Sequence, residues 1–202
     1  MAGAGPIAWC MKHKTLVTTI ATALLSFTVN PALFAADAVK TESTITAETT
    51  AEATADARFM DEATRGGLME IHAAKIAEGK TKRDDVKEFA KTMQRDHTDV
   101  NKNLKALADR MKMKLPKDIG NHQPFIDGLK AKTDADFDRT YVAATVMSHQ
   151  KCIGMFEKFS AATKNADLKT FASNTLPGLR THLKNAEVLL ETLGGAKGAA
   201  AK

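Results

Sequence analysis

The chain has 202 residues with a formal net charge of +5, and 44% of its residues are hydrophobic. This length is enough for one domain with a proper apolar core. Acidic and basic residues are interspersed, so the charge pattern indicates a solvated surface and excludes a nucleic-acid interface. Cys10 precedes a long apolar segment and Cys152 is the only cysteine after it. Removal of that segment would therefore exclude an intramolecular disulfide.

The N-terminal segment has the residue order of a secretory signal peptide. Basic residues follow Met11, an apolar run extends from Leu16 to Val29, and small residues surround Ala36. The run has about 14 residues, fewer than the roughly 20 that a membrane-spanning helix needs. We predict a signal peptide over 1–36, with Met11 as an alternative start and an uncleaved membrane anchor as the competing interpretation. Cleavage would remove two lysines and no acid, which leaves a net charge of +3.

Two polar segments flank the predicted domain at 56–193. Residues 37–55 are mostly Thr, Ala and Glu, and they contain too little apolar surface to offset the entropy lost on ordering. We predict a flexible linker there. Residues 194–202 predict a disordered tail by the same argument, although their alanines could extend the last helix.

The first two predicted helices each carry one ionisable side chain on an apolar stripe. Helix A covers 56–78, and Glu70 lies among its small residues. Helix B covers 84–113, follows a capping signal at Thr81, and has one gap in its stripe, which His97 fills. The stripe residues are Phe59, Ala63, Gly66, Ala73 and Ala77 in helix A and Val86, Ala90, Met93, Val100, Leu104, Leu107 and Met111 in helix B.

The last two predicted helices repeat this pattern. A long connection over 117–132, with a short helix from Pro124, leads to helix C, which starts at Thr133, ends near 160 and carries His149. Asn165 caps helix D, which ends near 193 and carries His182. Four amphipathic helices with two tight turns and one long connection predict an all-α four-helix bundle.

The four ionisable side chains fall at similar depths only in one topology. With a helix rise of about 1.5 Å per residue, an up-down-up-down bundle spreads Glu70, His97, His149 and His182 over about 12 Å. If the B–C connection crosses the bundle instead, the spread falls to about 7 Å. The crossover therefore favours one common site.

One carboxylate and three imidazoles suit one ion of Fe, Mn, Zn or Cu better than Ca or Mg. The alternative is a hydrogen-bonded polar layer, without metal, that only specifies helix packing. Asp138 and Tyr141 are candidates for orienting the ligands. Cys152 is either a neighbouring ligand, a redox thiol or an inert buried thiol. The side chains predicted to lie on the surface are His72, Asp96 and His122.

Five short motifs along the chain resemble those of a known family. They are Gly66-Gly67-Leu-Met-Glu70, Phe89-Ala-Lys-Thr-Met-Gln-Arg-Asp96-His97, Phe137-Asp138-Arg-Thr-Tyr141, His149, and Leu176-Pro177 followed by His182-Leu183. Over about 59–190 the chain resembles the bacterial exported domain-of-unknown-function 4142 family. The resemblance implies a ferritin-like four-helix bundle with the long B–C crossover and brings no established activity. The family's recurrent polar positions match Glu70, His97, His149 and His182.

The sequence disfavours an enzyme. Ferritin-like di-iron enzymes carry Glu-x-x-His pairs, and no histidine of the predicted site has a glutamate three residues before it. We expect an exported bundle, in the periplasm of a Gram-negative bacterium and with envelope association left open, that binds a transition metal for storage, sensing or protection from oxidants. The alternative is a non-catalytic envelope or stress protein whose surface binds a partner. We expect no stable membrane insertion after signal cleavage, and a homo-oligomer is compatible with the sequence.

Overall fold

A computed structural model describes the backbone of residues 39–199 and the side chains of residues 50–194. The predicted signal peptide, 1–36, lies outside this range. The helices are α1 Val39–Lys80, α2 Asp84–Arg110, α3 Gln123–Lys130, α4 Asp134–Ala162 and α5 Ala166–Ala199, with a 3-10 turn at Gly120–His122 before α3. The described backbone contains no strand, which confirms the all-helical prediction. Among these helices, none combines the length and the apolar composition that crossing a membrane requires.

The connection between α2 and α4 runs back along the length of the molecule. Lys82, in the α1–α2 turn, pairs with Asp134 at the start of α4, with 3.0 Å between Nζ and Oδ1. Nearby, the Lys80 ammonium donates a hydrogen bond of 2.6 Å to the carbonyl of Lys130. These contacts put the starts of α2 and α4 at the same end, so the two helices run in the same direction. α2 packs against α1 and α5, and α4 packs against α5 and α1.

The helix starts agree only partly with the predicted caps. The Asn165 side-chain carbonyl accepts hydrogen bonds from the backbone N–H groups of Asp167 and Leu168, both 3.1 Å long, so it caps α5 as predicted. The Thr81 hydroxyl instead accepts from the N–H of Arg83, which itself occupies the capping position of α2. Thr81 therefore stabilises the turn and not the first turn of the helix.

The first helix extends further upstream than predicted. α1 begins at Val39, so most of the segment interpreted as a flexible linker has helical backbone. Alanine and glutamate, which are frequent in this segment, favour helix even where few apolar residues are present. Contacts with the α4–α5 turn also hold this segment: Lys164 pairs with Glu52 at 2.5 Å, and the Thr163 hydroxyl donates to Asp56 at 3.0 Å.

Two apolar clusters fill the interior, one on each side of a polar layer. On α2, His97 lies between Met93 of one cluster and Leu104 of the other. α4 has the same order along the chain around His149, and α5, which runs in the opposite direction, has the reverse order around His182. Sliding one helix by a turn would press an imidazole against apolar side chains, so the polar layer fixes the axial register of the bundle.

Gly67 of α1 permits a close contact with the side chain of Asn101 on α2. A Cβ atom built on Gly67 would lie 2.8 Å from Cγ of Asn101, so the two helices cannot accommodate a larger residue without a shift. We expect Gly67→Ala to lower the free energy of unfolding by about 1–3 kcal/mol through overpacking. Gly154→Ala, on α4 with nothing within 4 Å, should raise it by about 0.5–1 kcal/mol through helix propensity. Urea denaturation measures both changes. An equal gain from both alanines would contradict the close contact, and Gly67→Ala combined with Asn101→Ala should recover stability.

Candidate metal centre

Three histidines from three helices form a compact triangle in the middle of the molecule. The ring centroids are separated by 5.4 Å between His97 and His149, 5.3 Å between His97 and His182, and 5.5 Å between His149 and His182. One ring nitrogen from each residue lies within 4.8 Å of the others, and all three side chains are buried. The periodicity of each amphipathic helix directs its histidine inward, and the crossover puts the three at one level.

A backbone hydrogen bond sets the tautomer of His149. Its Nδ1 lies 3.0 Å from the carbonyl oxygen of Thr145, one turn earlier on α4. A carbonyl only accepts, so Nδ1 carries the proton and Nε2 keeps its lone pair. That Nε2 lies 3.4 Å from Nε2 of His97. The lone pair of His149 therefore faces the centre of the triangle.

A carboxylate orients His182 from the opposite side. The Nε2–H group of His182 donates a 2.9 Å hydrogen bond to Oδ2 of Asp96 on α2. In the neutral imidazole Nδ1 of His182 then keeps its lone pair, and this nitrogen is buried without a hydrogen-bond partner among the described residues. A carboxylate that fixes the outer nitrogen of an imidazole is the usual support of a metal-binding histidine.

Asp96 was predicted to lie on the surface, and its side chain is 34% exposed, but the prediction missed its contact with His182. Successive side chains on a helix differ in direction by about 100°, so the residue before an inward-facing His97 faces the neighbouring helix α5. Burial alone would raise the pKa of Asp96, but hydrogen bonds from His182 and Arg95 outweigh it and lower that pKa. Asp96 is therefore an ionised partner of the triangle.

Burial keeps two of the imidazoles neutral. Desolvation, reinforced by the nearby His149 and His182, lowers the pKa of His97 well below its ordinary value of 6.5. Desolvation also lowers the pKa of His149 to about 3, with a further contribution from His182. Neutral imidazoles offer lone pairs, which a metal ion needs and a proton would block.

Glu70 lies beside the triangle and not within it. Its Oε1 accepts a short hydrogen bond from the hydroxyl of Ser148 on α4, and the same oxygen is 3.8 Å from Nδ1 of His149. Burial raises the pKa of Glu70 to about 7, although the Ser148 hydrogen bond lowers it. The carboxyl thus contacts the outer edge of His149, and the structure brings together three of the four predicted ligands.

The remaining candidates occupy different positions. Asp138 and Tyr141 are buried near the start of α4, and Oδ1 of Asp138 has no hydrogen-bond partner among the described residues. Desolvation, followed by the charge of Glu70, raises the pKa of Tyr141 well above 10. Cys152 is buried one turn after His149, within the same cavity lining as Glu70. His122 was predicted to be exposed and is instead buried, because the long connection folds onto α1.

These observations define a class of protein: an all-helical bundle with a buried three-histidine centre. The chain belongs to the DUF4142 family, which is described as a domain of unknown function and whose model matches residues 41–189. No curated protein matches the chain.

Three solved structures share this fold at low identity. A DUF305 fragment from Deinococcus radiodurans has a TM-score of 0.61 and 13% identity. CopM has TM-scores of 0.60 and 0.59 in its Cu(I)-bound and Cu(II)-bound forms, with 18% and 17% identity. Each match covers 68% of this chain and 96% of the other. At these identities the likeness establishes the fold alone.

Proposed function

We propose that this protein binds one transition-metal ion through His97, His149 and His182. The observation that carries the proposal is the buried triangle of histidines, in which one ring nitrogen of each residue lies within 4.8 Å of the others. The buried Nδ1 of His182, which has no hydrogen-bond partner among the described residues, supports it. A buried polar atom without a partner costs about 1–3 kcal/mol. One bound ion would satisfy that nitrogen and the two lone pairs beside it. Glu70 would support the metal site through its contact with His149 and would not itself be a ligand.

Copper in its reduced state is the metal we propose. The three ligands are imidazoles, which suit copper, zinc and iron better than magnesium or calcium. Because His97 and His149 are neutral, the nitrogens add no negative charge, and a monovalent ion is less costly to bury than a divalent one. CopM, which has the same fold, binds copper as Cu(I) and Cu(II). This likeness supports the choice of metal without identifying the ligands.

The biological role that fits this site is retention of metal in an exported protein, for storage, sensing or protection from oxidants. The basic, apolar and small-residue order of 1–36 supports export to the periplasm. The direction of α2 and α4 supports a ferritin-like bundle with a long crossover. The lack of Glu-x-x-His pairs disfavours di-iron chemistry, so we propose a binding protein and not an enzyme.

Metal stoichiometry tests the proposal. The protein from residue 37, without an affinity tag, would be loaded with Cu(I) under reducing conditions, dialysed, and analysed for copper. We expect about one equivalent in the wild type and in His72→Ala, because His72 is exposed on α1. We expect almost none in His97→Ala and His182→Ala with their helical content intact. A wild type that retains no copper, zinc, iron or manganese would overturn the proposal.

Removing the carboxylate behind His182 should weaken metal binding without removing a ligand. We expect Asp96→Asn to lower the affinity about 10- to 100-fold, because the amide no longer fixes the imidazole as strongly. Competition with a chromophoric copper chelator gives the affinity. Asp99→Asn, at an exposed position on the same helix, is the matched control and should keep wild-type affinity. Equal affinities in both variants would show that Asp96 does not support the site.

A polar packing layer is the second candidate function for these residues. It is favoured by the bonds that already satisfy one nitrogen of His149 and one of His182. This alternative predicts no bound metal, and it predicts that His97→Leu raises stability by replacing a buried imidazole with an apolar side chain.

A further inference from the structure

α1 is the one long helix of the bundle that contributes no histidine to the triangle, and it borders the site differently from the other three helices. α2, α4 and α5 each contribute one imidazole, whereas α1 faces the site with small residues, Ala63, Gly66 and Gly67, next to Glu70. These small residues leave a cavity of about 20 Å³. Such a volume accommodates roughly one water or a molecule of similar size. On the side of α1, His97 and His149 therefore border a small cavity and not a fourth histidine.

The cavity combines ligand-bearing rings with hydrogen-bonding groups. His97 and His149 line one part of it, and Glu70 with Ser148 lines another, while Val100 and Phe156 are among its apolar walls. Glu70 and Ser148 are hydrogen-bonded to each other and are both buried. A molecule in this space would touch two imidazoles and one polar pair. Three protein ligands leave a coordination position open, as in catalytic metal sites.

We propose that this cavity binds a diatomic ligand, of the class to which dioxygen and peroxide belong, beside a metal held by the three histidines. The inference rests on the proposed function. Gly66 is the determining position, because it lines the cavity on α1 and a methyl group added there would narrow this space. Gly67 lines the same cavity and also allows Asn101 of α2 to approach, so Gly66 is the position chosen to test the ligand space.

Carbon monoxide is the probe, because it is diatomic, binds Cu(I) and reports its binding through its infrared stretching band. Wild-type protein loaded with Cu(I) should show this band at saturating carbon monoxide. Gly66→Ala should retain about one equivalent of copper and lose at least 10-fold in carbon monoxide affinity. Gly154→Ala, which adds the same methyl group outside the cavity, should behave as the wild type. Ala63→Val serves as a second filled variant if Gly66→Ala does not fold.

The two measurements separate the two proposals. Copper retained by the wild type without a carbon monoxide band overturns the cavity proposal and leaves the metal site standing. The same holds if Gly66→Ala and Ala63→Val keep both copper and full carbon monoxide affinity. If wild-type protein retains no metal, the proposed function fails and the ligand site fails with it.

Discussion

Replacing Glu70 by glutamine should stabilise the metal-free protein by roughly 3 kcal/mol at pH 8 and leave it almost unchanged at pH 4. Burial raises the pKa of Glu70 to about 7 in the folded protein, against an ordinary value of 4.5. A group whose folded pKa is raised contributes stability below its unfolded pKa and loses it as the pH rises through the folded pKa. Glutamine carries no charge at either pH, so it escapes the cost of a buried carboxylate. Urea denaturation in the presence of a chelator measures the difference.

An exposed carboxyl provides the control for this experiment. Glu187→Gln, on the outer face of α5, should change the free energy of unfolding by less than about 0.5 kcal/mol at both pH values. A gain from Glu70→Gln that is the same at pH 4 and pH 8 would indicate an effect of shape and contradict the raised pKa. Copper-loaded protein should gain less at pH 8, because a cation near His149 would stabilise the ionised carboxylate of the wild type.

Helical periodicity was sufficient to predict which residues face inward. Each of the three histidines occupies a gap in an apolar stripe, and each is buried where its stripe predicts. The long connection between α2 and α4 made the crossover the topology that brings the histidines to one level. Both predictions depend on the direction of side chains around one helix and on distance along it, which sequence spacing determines directly.

Contacts between helices could not be predicted in the same way. Asp96 was assigned to the surface because it lies off the stripe of its own helix, and the sequence does not say that α5 packs on that side. Glu70 was placed on the correct face, but its distance from the triangle depends on its side-chain rotamer and on the hydrogen bond from Ser148. Ser148 itself gave no signal, because a serine beside a histidine is common on any helix.

Acid should destabilise the metal-free protein through its buried histidines. His97 and His149 stay neutral when folded, because burial lowers their pKa values below 6.5, to about 3 for His149. In the unfolded chain both take up a proton as the pH falls through 6.5, so unfolding becomes more favourable. A group whose pKa is depressed in the folded protein lowers the free energy of unfolding by ~1.4 kcal/mol for each pH unit below its unfolded pKa. Over pH 5–6 the pair should contribute a loss of ~2.7 kcal/mol per unit.

Glu70 has the opposite effect on the free energy of unfolding between pH 6 and pH 5. Its carboxyl is protonated in the folded protein, where its pKa is about 7, and it loses that proton on unfolding. These three groups together take up about one proton on unfolding between pH 6 and pH 5, which contributes a loss of ~1.4 kcal/mol per pH unit. Burial also lowers the pKa of His122, to about 4, so this residue adds to the wild-type loss in the same direction. His149→Gln should make the wild-type loss smaller by ~1.4 kcal/mol per pH unit, whereas Glu70→Gln should make it larger by a similar amount. His72→Gln, at an exposed position, should leave the wild-type slope unchanged. Urea denaturation at four pH values gives the slopes, and other titrating groups cancel when variants are compared. If the free energy of unfolding changed equally with pH in the wild type, His149→Gln and Glu70→Gln, these side chains would have the same pKa in the folded and unfolded chain. The neutral imidazoles that the proposed copper site requires would then not exist.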